Sequence, residues 1–212
     1  MKLYSFPPSP NHRKVAATAM HLGLNLDFEM TDLSKGDQQK PEFLAMNPNG
    51  MIPTLKDGDF CMWESNAIMV YLCSKVPGNT LYPADPTVQA DILRWMFWQA
   101  AHWGRACGIL LYENFVKRMF TGMDPDGAKV AEGTEMFHRY AKVLNDHLAG
   151  REWLVGSKPT LADFSVGCFL MYKDAAGFPM ADYPVISAWY SRLEQLDAWK
   201  KTAPQMPAGA GA

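Results

Sequence analysis

The first residues with possible chemistry lie where a helix is expected to begin. Ser9 precedes Pro10 and Asn11. Ser9 is a good N-cap and Pro10 suits a first helical position, so a well-formed helix start explains the segment, and the residues alone favour that interpretation. Alternatively, the Ser9 hydroxyl or the Asn11 amide could donate to a bound thiolate, whose charge the helix dipole stabilises. Either donor would lower the pKa of a ligand thiol.

A second helix start is expected at Glu64 and Ser65. An N-cap serine with an acidic neighbour at the positive end of a helix again needs no ligand. Functionally, the amides of the first turn and the Ser65 hydroxyl could bind a carboxylate, while Glu64 could hold an ammonium group. An α-amino acid carries both charges.

A proline interrupts the strand expected over Met51–Leu55. Pro53 removes a backbone donor, which marks an edge or an interruption of the sheet. X-Pro bonds are mostly trans, so a simple loop-to-strand proline is the plainer interpretation. If the Ile52–Pro53 bond is cis, the backbone of Ile52 turns outward, and its N–H and C=O groups could pair with a peptide-like ligand.

A further group of side chains lies on one face of a long predicted helix, because its members recur at spacings of three and four residues. The group comprises Trp95, Trp98, His102, Arg105, Ile109 and Tyr112. Core packing explains the tryptophans. His102 and Arg105 fit that explanation poorly, since a buried ionisable group without a partner is costly. The face could therefore line a cleft for an apolar electrophile, with Tyr4 as a lesser candidate, or be an ordinary exposed helix edge.

Composition excludes several classes of function. The chain has 212 residues, with 20 Lys and Arg against 22 Asp and Glu, a net charge of −2. This balance provides no electrostatic footprint for nucleic acid or anionic lipid. The longest apolar stretch, 67–73, is far shorter than the roughly 18 residues of a membrane span, and no leader-like segment is seen, so we expect a cytoplasmic protein. Neither the four cysteines nor the five histidines have metal-site spacing, so we expect no metal.

The elements that must position these residues divide the chain in two. Strands are predicted at Lys2–Phe6, Leu26–Thr31, Met51–Leu55 and Phe60–Trp63, and helices from Ser9 to Leu22 and from Ser65 to Val76. The first two strands should be parallel and the last two should form a hairpin. Further helices are predicted at Val88–Phe120, Gly127–Leu148, after a Thr160 capping box, and at Pro184–Leu196. A linker at 77–87 and a disordered tail at 203–212 complete the chain.

In this order, the segments resemble the cytosolic glutathione transferase family, in particular bacterial, theta-like members of the serine or asparagine type. The resemblance rests on PPSPNHRKV, PEFLAMNPNGMIPTLKDGDFCMWESNAIMVYL and GSKPTLADFSVG. It implies an α/β thioredoxin-like N-terminal domain at 1–76 that binds glutathione, the linker at 77–87, and an all-helical bundle domain at 88–202. It also implies that Asp163 of the capping box supports folding of the second domain.

By the same resemblance, Ser9 or Asn11 stabilises the glutathione thiolate. Pro53 stands at the family's cis-proline, and Ile52 pairs with the cysteinyl backbone of glutathione. Glu64 and Ser65 grip the γ-glutamyl group. Gln38 and Gln39 occupy positions where relatives often have His or Lys for the glycyl carboxylate, and Met51 one where many have Gln or Lys. Pro10 replaces a cysteine of some relatives, which excludes a mixed disulfide there.

The resemblance implies glutathione as a co-substrate with no tightly bound cofactor, and a homodimer. The expected reaction transfers the thiolate to a small hydrophobic electrophile, held by Tyr4, Trp98, His102, Arg105 and Tyr112. Two alternatives stay open: glutathione-dependent reduction of disulfides or peroxides, in which Asn11 would matter more than Ser9, and a non-catalytic role as a ligand carrier or docking protein.

Overall fold

Four short strands form a mixed sheet in the computed structural model, which describes residues 1–204. The strands are β1 (Lys2–Ser5), β2 (Asp27–Met30), β3 (Thr54–Asp57) and β4 (Phe60–Met62), in the order β2-β1-β3-β4. β1 pairs with β2 in parallel and with β3 antiparallel, and β3 with β4 antiparallel. The predicted parallel pair and hairpin are therefore confirmed. The predicted disordered tail lies outside the described residues from position 205 onward.

The strand predicted from Met51 begins only at Thr54. The Asn47 side chain donates to the carbonyl of Met51 at 2.7 Å, and Pro53 has no N–H to give to a ladder. Residues 51–53 therefore lie outside the sheet, between the turn at 48–49 and β3.

Two compact units divide the chain, and the first contains residues 1–83 together with 196–204. Its helices are α1 (Pro10–His21), α2 (Pro41–Leu44), α3 (Ser65–Ser74) and the last helix of the chain. α1 begins as predicted, with Ser9 as N-cap and a proline in its first turn, and Gly23 follows its end with φ +68°. The apolar core of this unit includes Leu3, Val15 and Leu55, each almost fully buried.

The predicted N-cap of α3 is wrong by one residue. Glu64 occupies the N-cap position, and its side chain caps no amide, while Ser65 is already helical. The Ser65 hydroxyl instead donates to the Asn11 side chain of α1. The hydroxyl thus links two helix N-termini rather than closing its own.

The second unit, residues 84–195, is helical. The helix predicted over Val88–Phe120 is divided into α4 (Pro86–Trp98), α5 (Gly104–Leu111) and α6 (Lys117–Thr121) by π-helical turns at Gln99–Trp103 and Tyr112–Val116. It begins two residues early because Asp85 caps the amides of Thr87 and Val88. α7 (Gly127–Leu148) has the predicted bounds.

α8 (Leu161–Gly167) begins with the predicted capping box and is buried along its whole length. The Asp163 carboxylate accepts from the backbone of Leu154 at 2.9 Å and of Thr160 at 2.8 Å, and from the Trp189 indole at 2.9 Å. Burial raises the pKa of Asp163, and these hydrogen bonds act against that shift. Asp163 therefore has a structural role.

α9 (Pro184–Gln195) ends one residue before the prediction, and the sequence interpretation missed α10 (Asp197–Lys201), which belongs to the first unit. Trp199 of α10 is fully buried, and its backbone carbonyl accepts from the Arg13 guanidinium of α1 at 3.1 Å. Within residues 1–204 no helix is both long and apolar enough to cross a bilayer, and no group of three or more His, Cys, Asp or Glu is placed to hold a metal.

Candidate active site

Ser9 stands where β1 passes into α1. It is half-buried, and its hydroxyl oxygen accepts from the Asn11 backbone N–H at 3.2 Å. No other partner of this hydroxyl is found among the described residues. The hydroxyl hydrogen is therefore available to a ligand at the positive end of α1.

Asn11 offers a second donor at the same place. Its Oδ1 accepts from the Ser65 hydroxyl at 3.2 Å. This hydrogen bond assigns the oxygen to the Ser65 side and leaves the Nδ2 amide group without a partner in the described part of the chain. The structure thus brings Ser9, Asn11 and Ser65 together, and both side chains considered for thiol activation keep a donor unused.

Lys14 and Asn66 join the same pair of helices one turn further on. The Lys14 ammonium donates to Asn66 Oδ1 at 2.8 Å, and only 1% of the lysine is exposed. Sequence reasoning missed both residues. The available signal was spacing, because Asn11 and Lys14 are three residues apart and so share one face of α1.

Glu64 has an unusual backbone. Its φ is +70° with ψ 104°, and it is the one non-glycine residue with positive φ among the described residues. Such a conformation costs on the order of 1–3 kcal/mol and concentrates at functional sites. The side chain is exposed, at the N-terminus of α3 beside the buried Ser65.

The Ile52–Pro53 peptide bond is cis, as the resemblance implied. Pro53 is buried, and Ile52 is half-buried. Neither the N–H nor the C=O of Ile52 has a hydrogen-bond partner within residues 1–204. Both groups are consequently free to pair with an extended ligand.

Asn47 builds the turn before this bond and was also missed. It is buried, donates to the Met51 carbonyl, and accepts from the Asn49 backbone at 3.1 Å. Asparagine commonly organises turns through such backbone contacts, so the NPNG sequence was the usable signal.

Gln38 and Gln39 lie beside this turn. A Cβ at Gly50 would be 2.6 Å from the mobile end of the Gln39 side chain, and Gly50 has φ +59°, so the backbone conformation favours glycine. The Gln38 side-chain oxygen is buried and has no hydrogen-bond partner among the described residues. Met51 is 68% exposed. The three predicted contacts for the glycyl end of glutathione therefore lie around one turn.

The residues predicted to bind the second substrate differ in their exposure and in their contacts. In the second unit, His102 is exposed and stacks on Tyr140 of α7 at 5.3 Å, and Arg105 is exposed and pairs with Glu132 at 3.4 Å. The predicted cost of burying them without partners does not arise, because neither is buried. Trp98 is half-buried against the same Tyr140, at 6.1 Å.

Two other candidates stand apart from this cluster. Tyr112 is half exposed and lies in the second π-helical turn. Tyr4 belongs to the first unit, on β1 opposite Thr54. The described contacts join Trp98 and His102 through Tyr140 and do not join the others to them.

Two buried cysteines, Cys73 and Cys107, are poor candidates for an alternative nucleophile. None of the four cysteines forms a disulfide. Burial raises the pKa of Cys73 to about 12 and that of Cys107 well above its ordinary value, so these thiols stay protonated at neutral pH.

Comparison with known proteins gives the family. The model of the glutathione S-transferase N-terminal domain matches residues 1–74, and that of the C-terminal domain matches residues 127–192. The chain is 33% identical to Glutathione S-transferase 3 of Zea mays over 98% of its own length and 95% of that protein's. It is 29% identical to Glutathione S-transferase D7 of Drosophila melanogaster, with coverage of 99% and 91%.

A solved structure agrees. Glutathione S-transferase-I, bound with the ligand lactoylglutathione, is 25% identical and superposes with a TM-score of 0.86 over 97% of this chain and 99% of that one. The relatives come from a plant and an insect, which supports the family and not the bacterial theta-like subtype. The N-terminal and C-terminal domain models match in order, and a relative 33% identical is matched over nearly its full length, so the chain belongs to the glutathione S-transferase family.

Proposed function

We propose that this chain is a transferase that joins the thiolate of glutathione to small hydrophobic electrophiles. The observation that carries the proposal is that one unit contains both kinds of free group. Ser9 and Asn11 each have an unused donor, and the backbone N–H and C=O of Ile52 have no partner among the described residues. A tripeptide thiol needs both features, since one set activates its sulfur and the other holds its backbone.

Glutathione binds as an added extended segment. The N–H and C=O of Ile52 pair with the backbone of its cysteinyl residue, next to the cis bond to Pro53. Its γ-glutamyl end carries a carboxylate and an ammonium group. The first-turn amides of α3, including the backbone N–H of Ser65, suit the carboxylate, and Glu64 suits the ammonium.

The glycyl carboxylate meets Gln38, Gln39 and Met51. The N–H groups of two side-chain amides can donate to a carboxylate without carrying charge. The neighbouring Lys40 is paired with Asp37 at 2.6 Å. We therefore expect neutral amides, rather than a lysine, to hold this end.

Activation of the thiol follows from the first turn of α1. A free thiol has a pKa of about 8.5 and is a few per cent ionised at neutral pH. Donation from Ser9 or Asn11, with the dipole of α1, stabilises the thiolate. A two-unit decrease in pKa raises the ionised fraction at most about thirtyfold. The sulfur lone pair then forms a bond to the electrophilic carbon, the leaving group departs with its electron pair, and positioning supplies the remaining rate enhancement.

The electrophile is held by side chains from Tyr4, Trp98, His102, Arg105 and Tyr112. Support comes from the aromatic character of this set and from the half exposure of Tyr112. His102 and Arg105 are held at an exposed helix edge by Tyr140 and Glu132, so we assign them a weaker contribution than the aromatic residues.

Glutathione-dependent disulfide or peroxide reduction is the second candidate. The unused Asn11 Nδ2 donor favours it, because an amide can stabilise a thiolate without the serine. In that reaction the thiolate attacks sulfur or oxygen instead of carbon.

The same proposal includes a serine- or asparagine-type activation, a homodimer and a cytoplasmic location. Phe60 and Phe97 are exposed apolar side chains, which a second copy would remove from water. The absence of a disulfide among the four cysteines suits a reducing compartment. Sedimentation of the purified protein at micromolar concentration tests the dimer, and a monomer would remove it from the proposal.

Two variants test the reaction. We expect Ser9→Ala or Asn11→Ala to lower kcat/KM roughly tenfold to a hundredfold, the loss typical of one hydrogen bond to a charged group. Rates with 1-chloro-2,4-dinitrobenzene report conjugation, and rates with hydroxyethyl disulfide report reduction. Ser74→Ala, an exposed serine at the far end of α3, is the matched control. If both variants kept full rates with both substrates, neither side chain would activate the thiol.

A further inference from the structure

The sheet of the first unit has an open edge at β2. The strand order places β2 outermost, and all four of its residues are exposed. The N–H of Thr31, directly after β2, donates to the Ser5 carbonyl of β1 at 2.8 Å. Alternate residues of a strand direct their backbone groups to opposite sides, so the N–H and C=O groups of Phe28 and Met30 point away from β1. The backbones of Phe28 and Met30 have no hydrogen-bond partner within residues 1–204.

The side chains of β2 alternate between two chemical types. Phe28 and Met30 share one face of the strand and are 46% and 55% exposed. Asp27 and Glu29 share the other face, and Glu29 pairs with Lys2 at 3.3 Å. The open edge therefore has an apolar face and an acidic face.

A cavity of about 440 Å³ lies on the apolar face, between this strand and α1. Leu26 and Phe28 line it on the strand side, and Ala16 and Met20 line it on the side of α1. Other members of the lining are polar, among them Asn25 and Thr202. Where a peptide adds to a sheet edge, backbone hydrogen bonds provide affinity and pockets for alternate side chains provide specificity. β2 has both features side by side.

A second copy of β2 is a poor partner for this edge. In an antiparallel pair of two such strands, Phe28 can face either Met30 or Phe28 of the other copy. The first register places Glu29 opposite Glu29, and the second places Asp27 opposite Glu29. Like charges directly opposite each other are destabilising. The charge pattern thus disfavours self-pairing and favours a strand that carries basic residues.

We propose that the β2 edge binds an extended segment of another protein, in which apolar and basic residues alternate, as an added antiparallel strand. The segment pairs with the outward backbone groups of Phe28 and Met30. Its apolar side chains lie on the face that contains the cavity, and its basic side chains lie opposite Asp27 and Glu29. The interaction uses none of the residues assigned to glutathione.

Anisotropy of a fluorescently labelled peptide in which valine and lysine alternate tests the proposal. We expect it to bind about tenfold more tightly than an isomer with its valines grouped, and than an alternating valine–glutamate peptide. In the proposed register the valine N–H groups face β2 and the lysine N–H groups face away. Methylation of the valine nitrogens should therefore abolish binding, and methylation of the lysine nitrogens should not.

Amide hydrogen exchange locates the bound peptide. The peptide should slow exchange at Phe28 and Met30, whose amides point outward. The free backbone groups of Ile52 could also pair with an extended peptide, so the amide of Ile52 is followed in the same experiment. Its exchange should not change.

Two protein variants test the charges and the backbone. Asp27→Lys combined with Glu29→Lys should reverse the preference, so that the valine–glutamate peptide binds more tightly. Asp124→Lys combined with Glu135→Lys changes the net charge equally at two other exposed positions and should keep the original preference. Met30→Pro removes an outward N–H, leaves the ladder with β1 in place, and should weaken binding about tenfold.

Four results would overturn the proposal. They are equal binding of the isomer with grouped valines, no effect of methylation at the valine nitrogens, protection at Ile52 in place of Phe28 and Met30, and an unchanged preference in the folded charge-reversed variant. A protein that dimerises through β2 and excludes the peptide would also contradict it.

Discussion

At the first turn of α1, consecutive side chains contact different secondary-structure elements. Asn11 meets Ser65 of α3, His12 meets Phe28 of β2, and Arg13 meets Trp199 of α10. Each step along a helix rotates the side chain by about 100°, so neighbours in sequence point to different elements. The chemical roles of this turn are therefore separable by substitution.

The buried His12 makes stability depend on pH. Its pKa is about 4 in the folded chain, against about 6.5 when unfolded. Between these values the unfolded chain binds a proton that the folded chain does not, so stability falls as the pH falls through this window. We expect His12 to contribute a loss of about 1–2 kcal/mol from pH 7 to pH 5, and His12→Phe should remove this contribution. Urea unfolding of both proteins at the two pH values measures it, and equal losses would contradict the assignment.

The backbone of Glu64 predicts opposite effects on stability and binding. Glycine adopts positive φ readily, so Glu64→Gly should leave the free energy of unfolding unchanged or raise it by up to about 1 kcal/mol. Loss of the carboxylate should raise the KM for glutathione. Glu64→Gln keeps a non-glycine residue at positive φ and removes the charge. It should raise the KM for glutathione without the gain in stability. An unchanged KM in both variants would remove Glu64 from the glutathione site.

At the scale of elements, close approach of α5 and α7 depends on a glycine. A Cβ at Gly133 would lie 2.9 Å from Ile109 Cγ2 and 3.1 Å from Leu110. Gly133→Ala should therefore destabilise the protein by about 1–3 kcal/mol. Gly108→Ala is the matched control, because nothing lies within 4 Å of its added methyl group, and better helix propensity should stabilise by up to about 1 kcal/mol. Denaturant midpoints report both changes, and a neutral Gly133→Ala would mean that the helices can separate.

The sequence predicted elements where local signals are strong. Ser9 with Pro10 marked the start of α1, and the Thr160 capping box marked α8, because capping is a short-range interaction. The prediction of Ser65 as an N-cap was wrong, because the hydroxyl bonds to a residue 54 positions away. The π-helical turns were missed, because such a turn arises from one inserted residue and has no distinct sequence pattern. α10 was missed because Trp199 is buried by tertiary contacts that a five-residue segment cannot encode.

In the candidate site, too, residues on short local motifs were predicted and residues that depend on long-range contacts were missed. The resemblance located Pro53, Glu64 and Ser65 on short motifs, whereas Asn47 and Lys14 were missed. Both missed residues act by orienting other groups, and such supporting contacts are set by packing between elements. His102 and Arg105 were expected to be costly to bury, and both are exposed, because helical spacing gives the shared face of a helix and not its environment.

At the scale of the whole molecule, the two units contribute different parts of the proposed reaction. The residues proposed for glutathione lie within 1–83, and four of the five proposed for the electrophile lie within 84–195. Each unit has its own buried core, for example Leu55 in the first and Phe137 in the second. Binding of glutathione by the first unit should stabilise the folded chain as the ligand concentration rises above its Kd.

Ultraviolet difference titration of the protein–glutathione complex against pH measures the central claim most directly, because it reports ionisation of the bound thiol itself. We expect the bound thiol to titrate about two pH units below the pKa of about 8.5 of a free thiol, and to return toward that value in Ser9→Ala or Asn11→Ala. A bound thiol that titrates with the same pKa as free glutathione, in protein shown to be saturated, would contradict activation of the thiol at the N-terminus of α1.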